Sequence, residues 1–222
     1  MMLRRKVRVL IVAMCAGALL AAGIPVLASV SHWPLLWSNV AYGDMDLYVS
    51  NNDAAPFNSA TADAEMANGR LTWNNVSAPP ELIDYGGTLS MSAVPCGTFT
   101  GVPAGRAYVK GCPISGSGFT WATTGFTNGK EYIIRGLVGM DTTPSGFTWH
   151  ISSSTTVAAG KKDLRGAVAH ELGHMHGASH IDLDCEALAA QTMCGFHSTG
   201  TAKYRSAQSH EIADWKARDA LQ

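Results

Sequence analysis

Residues 170 to 180 read HELGHMHGASH, and this stretch holds four of the chain's eight histidines. On a helix, His170 and His174 lie one turn apart and project from the same face, so their imidazoles can share one metal ion. Glu171 sits at the edge of that face. It is poorly placed to be a ligand but well placed to reach a water at the metal. Gly177 then ends the helix, because glycine accepts the left-handed conformation that a sharp turn needs. The turn can bring His180 back as a third ligand. Three neutral imidazoles leave the fourth position of a tetrahedral zinc ion open to water, the arrangement of a catalytic site and not of a closed structural one. The bland alternative is a histidine-rich surface loop. From the chain's own composition, a chance match to HExxHxxGxxH is on the order of 10⁻⁵. The extended pattern therefore carries weight that a bare HExxH would not.

Such a site needs elements that hold it. Residues 163–176 read as the helix that carries the motif, with Asp163 as N-cap. Residues 59–73 read as an earlier helix with Ala62, Met66 and Trp73 on one face, capped by Asn58 or Ser59 and weakened by Gly69. Residues 209–221 read as a last helix, capped by Ser209, with Ile212, Trp215 and Leu221 turned inward. Alternating or β-branched runs predict strands at Met45–Val49, Ala107–Lys110, Glu131–Val138 and Phe147–Ile151. Helix and strands come first, then the motif helix, then a loop-rich end and a closing helix. That order predicts an α+β fold. There is no internal repeat and no low-complexity linker.

The chain has 222 residues and a net charge of −1, enough for one core and too balanced to point to nucleic acid. Residues 1–28 read as a signal peptide: a basic start with Arg4, Arg5, Lys6 and Arg8, then an uncharged run from Val9, with cleavage after Ala28. An uncleaved anchor is the alternative, because the run is almost long enough to span a bilayer. The mature domain is then 29–222. Cys15 leaves with the leader, and Cys96, Cys112, Cys185 and Cys194 remain. Three pairings are possible. The local one, Cys96–Cys112 with Cys185–Cys194, is the expectation. No CxxC spacing supports a cysteine zinc site.

At 170–180 the sequence resembles the metzincin zinc metallopeptidases, whose HExxHxxGxxH is followed by a tight turn with a methionine beneath the metal. Met193, in QTMC, fits that methionine. The resemblance implies a metzincin-like zincin domain: a twisted sheet with the active-site helix (29–177), then a small irregular C-terminal subdomain carrying the Met-turn and ending in a helix (178–222). It further implies a Zn²⁺ ion on His170, His174 and His180, and Glu171 as general base. His180 is followed by Ile181, where better-known subfamilies place Ser, Asp, Glu or Pro. Gly195 stands where astacin- and serralysin-like enzymes have tyrosine. The general feel is matrixin-like.

The expected function is that of a secreted, monomeric zinc-dependent endopeptidase hydrolysing protein or peptide substrates with a zinc-activated water, with no nucleic-acid partner and no stable membrane association once the leader is cut. Its substrate is expected to add a strand along an edge near Phe147–Ile151. Two rivals stand beside it: a non-catalytic secreted binding protein on a metal-bound scaffold, and a zinc enzyme acting on a non-peptide bond. His176, two residues past His174, is expected on the surface or behind the ligands. His150, His197 and His210 are expected to be structural or solvent-facing, Tyr204 to be packed, and Asp182 and Asp184 to lie in a solvated loop. Asn75-Val76-Ser77 matches a glycosylation sequon.

Overall fold

The structure, a computed structural model, describes residues 36–37, 45–51, 53–76, 83–98, 100–114, 116–127, 130–176, 178, 180, 191–195 and 197–219. The expectations for the leader 1–28, Gly177, Cys185, Asp182, Asp184 and Leu221 lie outside these residues.

The fold is mixed α and β, as expected. In chain order the elements are β1 (Leu36–Trp37), β2 (Met45–Ser50), α1 (Ala60–Asn68), α2 (Leu71–Asn74), β3 (Ile83–Leu89), β4 (Arg106–Cys112), β5 (Gly118–Thr127), β6 (Lys130–Asp141), β7 (Thr148–His150), β8 (Lys161–Asp163), α3 (Leu164–Met175), a 3₁₀ turn (Lys203–Arg205) and α4 (Ser209–Asp219). The main sheet runs β1-β6-β4-β2-β3, all parallel, and β5 pairs antiparallel with β6. β7 and β8 form a separate two-stranded sheet.

Alternation along β2 explains how the sheet faces its layers. Met45, Leu47 and Val49 are fully buried and share one core with Ala62 and Met66 of α1, Val109, Val138 and Met140 of the neighbouring strands, and Leu164, Val168 and Leu172 of α3. Each such side chain contributes roughly 1.5–3 kcal/mol when buried. On the opposite face Tyr108 and Leu137 pack with Met91, Val94 and Val102 from the β3–β4 connection. A parallel sheet needs both faces covered, and the bridge from Cys96 to Cys112 ties that connection to β4. Cys194 is also disulfide-bonded.

Some expected boundaries change. The 59–73 helix is two helices interrupted at Gly69 and Arg70, with Ser59 as its cap. Ser209 is the first helical residue of α4 and not its cap; instead Glu211 reaches back to accept from the Gln208 N–H. Strands β1, β3, β5 and β8 were not anticipated.

Candidate metal centre

Helix α3 starts where expected. Asp163 accepts from the Gly166 N–H at 2.9 Å, and its carboxylate also pairs with the Arg205 guanidinium. Arg165, the second residue of α3, is held bidentately by Glu65 of α1 at 2.8 and 2.9 Å. The Trp73 indole N–H donates to the Ala169 carbonyl. Nearly the whole circumference of α3 is buried, which fixes where its polar side chains emerge.

His170 and His174 leave α3 on one face, their ring centroids 4.8 Å apart. The helix stops just after them. The Ala178 N–H reaches back to the Gly173 carbonyl at 3.0 Å, the long bond of a helix-ending turn. The chain doubles back, and His180 Nε2 lies 3.0 Å from His170 Nε2 and 3.2 Å from His174 Nε2. The three residues expected as ligands are thus brought together, with His170 buried and His180 open to solvent.

The donor chemistry fits a metal ion. His170 Nδ1 is 2.7 Å from the Thr192 carbonyl and His174 Nδ1 is 2.6 Å from the Ala178 carbonyl. A carbonyl only accepts, so each Nδ1 carries the proton and each Nε2 presents a lone pair. One N–H on His180 Nε2 cannot point at both neighbours, so the close nitrogens are not a hydrogen-bonded set. Ligand nitrogens on a tetrahedral zinc, at bonds of 2.0–2.1 Å, stand about 3.3 Å apart. His180 Nε2 already stands at nearly that spacing from both neighbours. Burial holds His170 well below its ordinary pKa and His174 at about 4, keeping both imidazoles neutral as ligands must be.

Glu171 is buried beside this cluster. Burial pushes its carboxyl up to about 7, partly opposed by a hydrogen bond from the Thr120 hydroxyl. A cavity of about 100 Å³ opens here, lined by Ser117, Gly118, Ala167, His170, Glu171, His180, Cys194, Gly195 and His197. The sheet edge that reaches it is β5. Residues 147–151, where the substrate-binding edge was expected, instead turn Phe147 and Trp149 toward each other and Trp149 toward Phe57.

No protein-family model matches this chain. No curated protein is similar to it at a significant level. The three-histidine group, two on α3 and one after it, is compatible with a zincin, and a possible metal site is what it has in common with one.

The methionine expected under the metal is well placed for support. Met193 is buried, its sulfur packs on Gly173 of α3, and its N–H donates to Glu211 Oε1 at 2.7 Å. Glu211 thereby ties the 191–194 turn to α4.

Of the two places expected for His176 it does not take the surface: it is 2% exposed and packs between Trp73 and Trp215. His197 takes the structural one of its two expected places. It donates from Nε2 to the same Thr192 carbonyl as His170, and its ring stacks flat on Tyr204 at 3.9 Å. Burial holds His197 at about 4. Tyr204 is packed, as expected, and bonds Ser198. His150 Nε2 bonds the Ser154 carbonyl. Thr120, Thr192, Glu211 and His197 were missed as site residues. Thr120, Thr192 and Glu211 lie 51, 22 and 18 residues from Glu171, His170 and Met193, the residues they hold, and His197 falls outside the motif's spacing, so spacing gives no signal for them.

Proposed function

We propose that the protein is a secreted zinc-dependent endopeptidase of the metzincin type. The observation that carries this reading is the convergence of three Nε2 atoms, from His170, His174 and His180, beside a buried carboxyl, Glu171, at the wall of one cavity. Zinc, when bound, supplies a water of pKa near 7 and polarises a carbonyl group. Glu171 takes the proton of the attacking water and passes it to the leaving amine. The Thr192 and Ala178 carbonyls orient His170 and His174 and make them stronger donors. With a cation held by the three histidines, Glu171 would be favoured as the carboxylate that a base must be.

An extended peptide is proposed to lie along β5, which borders the cavity and pairs on one side with β6. Main-chain hydrogen bonds would then hold it in register. Export is supported by the Cys96–Cys112 bridge, since disulfides persist in oxidising compartments. No helix among the described residues is long and apolar enough to cross a membrane. A non-catalytic metal-binding scaffold would not need a carboxyl buried against its ligands, and that favours the enzyme.

The test is zinc analysis together with cleavage of an unstructured protein. About one zinc per chain, cleavage abolished by a chelator and restored by added zinc are expected. A zinc-loaded protein that cuts no peptide bond would reject the reading.

A further inference from the structure

Residues Gly118 and Thr120 alternate on β5 and both face α3, because β5 pairs Gly118 with Met140 and Thr120 with Val138, two residues of the sheet face that α3 covers. Between them they touch both oxygens of one carboxyl group. The Thr120 hydroxyl lies 2.8 Å from Glu171 Oε2 and 2.8 Å from the Glu171 main-chain oxygen. Both acceptors belong to Glu171, so among the described residues the hydroxyl is held to that residue alone, and when the side chain is a carboxylate its charged oxygen is the stronger acceptor of the two. The other oxygen, Oε1, stands against Gly118: a Cβ there would sit 3.0 Å from it. Oε1 has no hydrogen-bond partner among the described residues, and Gly118 and Glu171 both line the cavity.

We propose that Thr120 is a positioning residue for the reaction: it anchors Oε2 of Glu171, so that Oε1 is the oxygen presented to the cavity and the one that accepts the proton. This rests on the peptidase reading above. A glutamate has three side-chain torsions, and a base that swings loses the geometry on which proton transfer depends. One hydroxyl from the sheet removes that freedom. It also couples the base to the strand against which the peptide is proposed to lie, so the bound chain and the proton acceptor share one rigid element.

The experiment compares the parent, Thr120→Val, Thr120→Ser and Thr120→Ala. Zinc content, kcat and KM are measured on the zinc-loaded proteins, and crystal structures are determined for the metal-free ones. Thr120→Val, which keeps the shape and removes the hydroxyl, should lower kcat roughly 10- to 100-fold, with KM within about twofold and zinc unchanged. Its Glu171 carboxyl should turn away from the position it holds in the parent. Thr120→Ser should restore the carboxyl position and kcat to within about threefold. If Thr120→Val does not fold, Thr120→Ala is read in its place. An unchanged kcat, a loss confined to KM or zinc, or a carboxyl that stays in place without the hydroxyl overturns the proposal. Should the zinc-loaded parent cleave nothing, the peptidase reading fails, and the carboxyl positions still decide whether Thr120 anchors Glu171.

Discussion

The sulfur of Met193 lies 2.1 Å from the point where a Cβ on Gly173 would stand. Gly173 is the central glycine of HELGH, between the two histidines of α3. Its missing side chain lets the 191–194 turn press against the helix from below, and that turn offers the Thr192 carbonyl to His170. Gly173→Ala should force the methionine aside. It should destabilise the metal-free protein by about 1–3 kcal/mol, the usual cost of overpacking, and weaken zinc binding through the displaced carbonyl. Thermal melts and a zinc competition titration check this; an unchanged melt together with unchanged affinity would contradict it.

Glu211 makes a related prediction. Its two carboxylate oxygens accept from the Met193 and Gln208 N–H groups, each at 2.7 Å. Glu211→Ala would leave the buried Met193 N–H without that acceptor. A charge-assisted hydrogen bond is worth about 1.5–3 kcal/mol, and a loss of that size is expected in denaturant unfolding. Amide exchange at Met193 should accelerate in the variant, whereas an unchanged rate would show that the bond does not hold the turn.

Acid should weaken the metal-free protein. His170, His174 and His197 have folded pKa values below the ordinary 6.5, the last two at about 4, because burial disfavours their charged forms. The unfolded chain takes up protons at these sites as pH falls below 6.5, while the folded one does not. Their contribution is full above 6.5 and is lost as pH falls toward 4. Glu171 acts in the opposite sense: its raised pKa of about 7 stabilises the fold below 4.5 and this is lost as pH rises through 7. Three groups outweigh one, so urea unfolding of the metal-free protein should give lower stability at pH 5 than at pH 7. Equal or greater stability at pH 5 would show that the imidazoles are not buried as described.

How much of this was legible in the residues depends on distance along the chain. The three-histidine group was readable because its members fall within eleven residues, and helix spacing sets the geometry of His170 and His174. The helix of 163–176 was readable because Asp163 is a strong cap. The edge strand β5 was not, since GFTWATTGFT mixes glycine and threonine in a way that reads as a turn; among the described residues its pairing comes from β6 alone. Strand β3 hides two glycines, and Gly87 has a positive φ of 114° beside a register shift opposite Tyr48. The residues alone left His176 either on the surface or behind the ligands. Helix geometry turns it away from the metal, but only the packed fold shows Trp73 and Trp215 waiting on that side.

The third ligand depends most on tertiary structure. His170 and His174 are set by α3, whereas His180 reaches them only through the turn that bonds Ala178 to Gly173. His180→Ala should weaken zinc binding by orders of magnitude. His176→Ala should cost stability, because it empties a space between two indoles, yet leave zinc affinity near that of the parent. Paired zinc titrations and melts separate the two effects. A His176→Ala protein that folds but loses its metal, alongside a His180→Ala protein that keeps it, would mean that the site is built differently.

The central claim is that Glu171 is the base of a zinc peptidase, and the turnover of zinc-loaded Glu171→Gln tests it most directly. The variant keeps the size of the side chain and an acceptor for Thr120, but not the basic carboxylate. With about one zinc per chain confirmed, its cleavage of an unstructured protein should fall 10²–10⁴-fold below the parent, the usual contribution of a general base. A zinc-loaded variant that cleaves within a factor of about three of the parent would contradict the assignment.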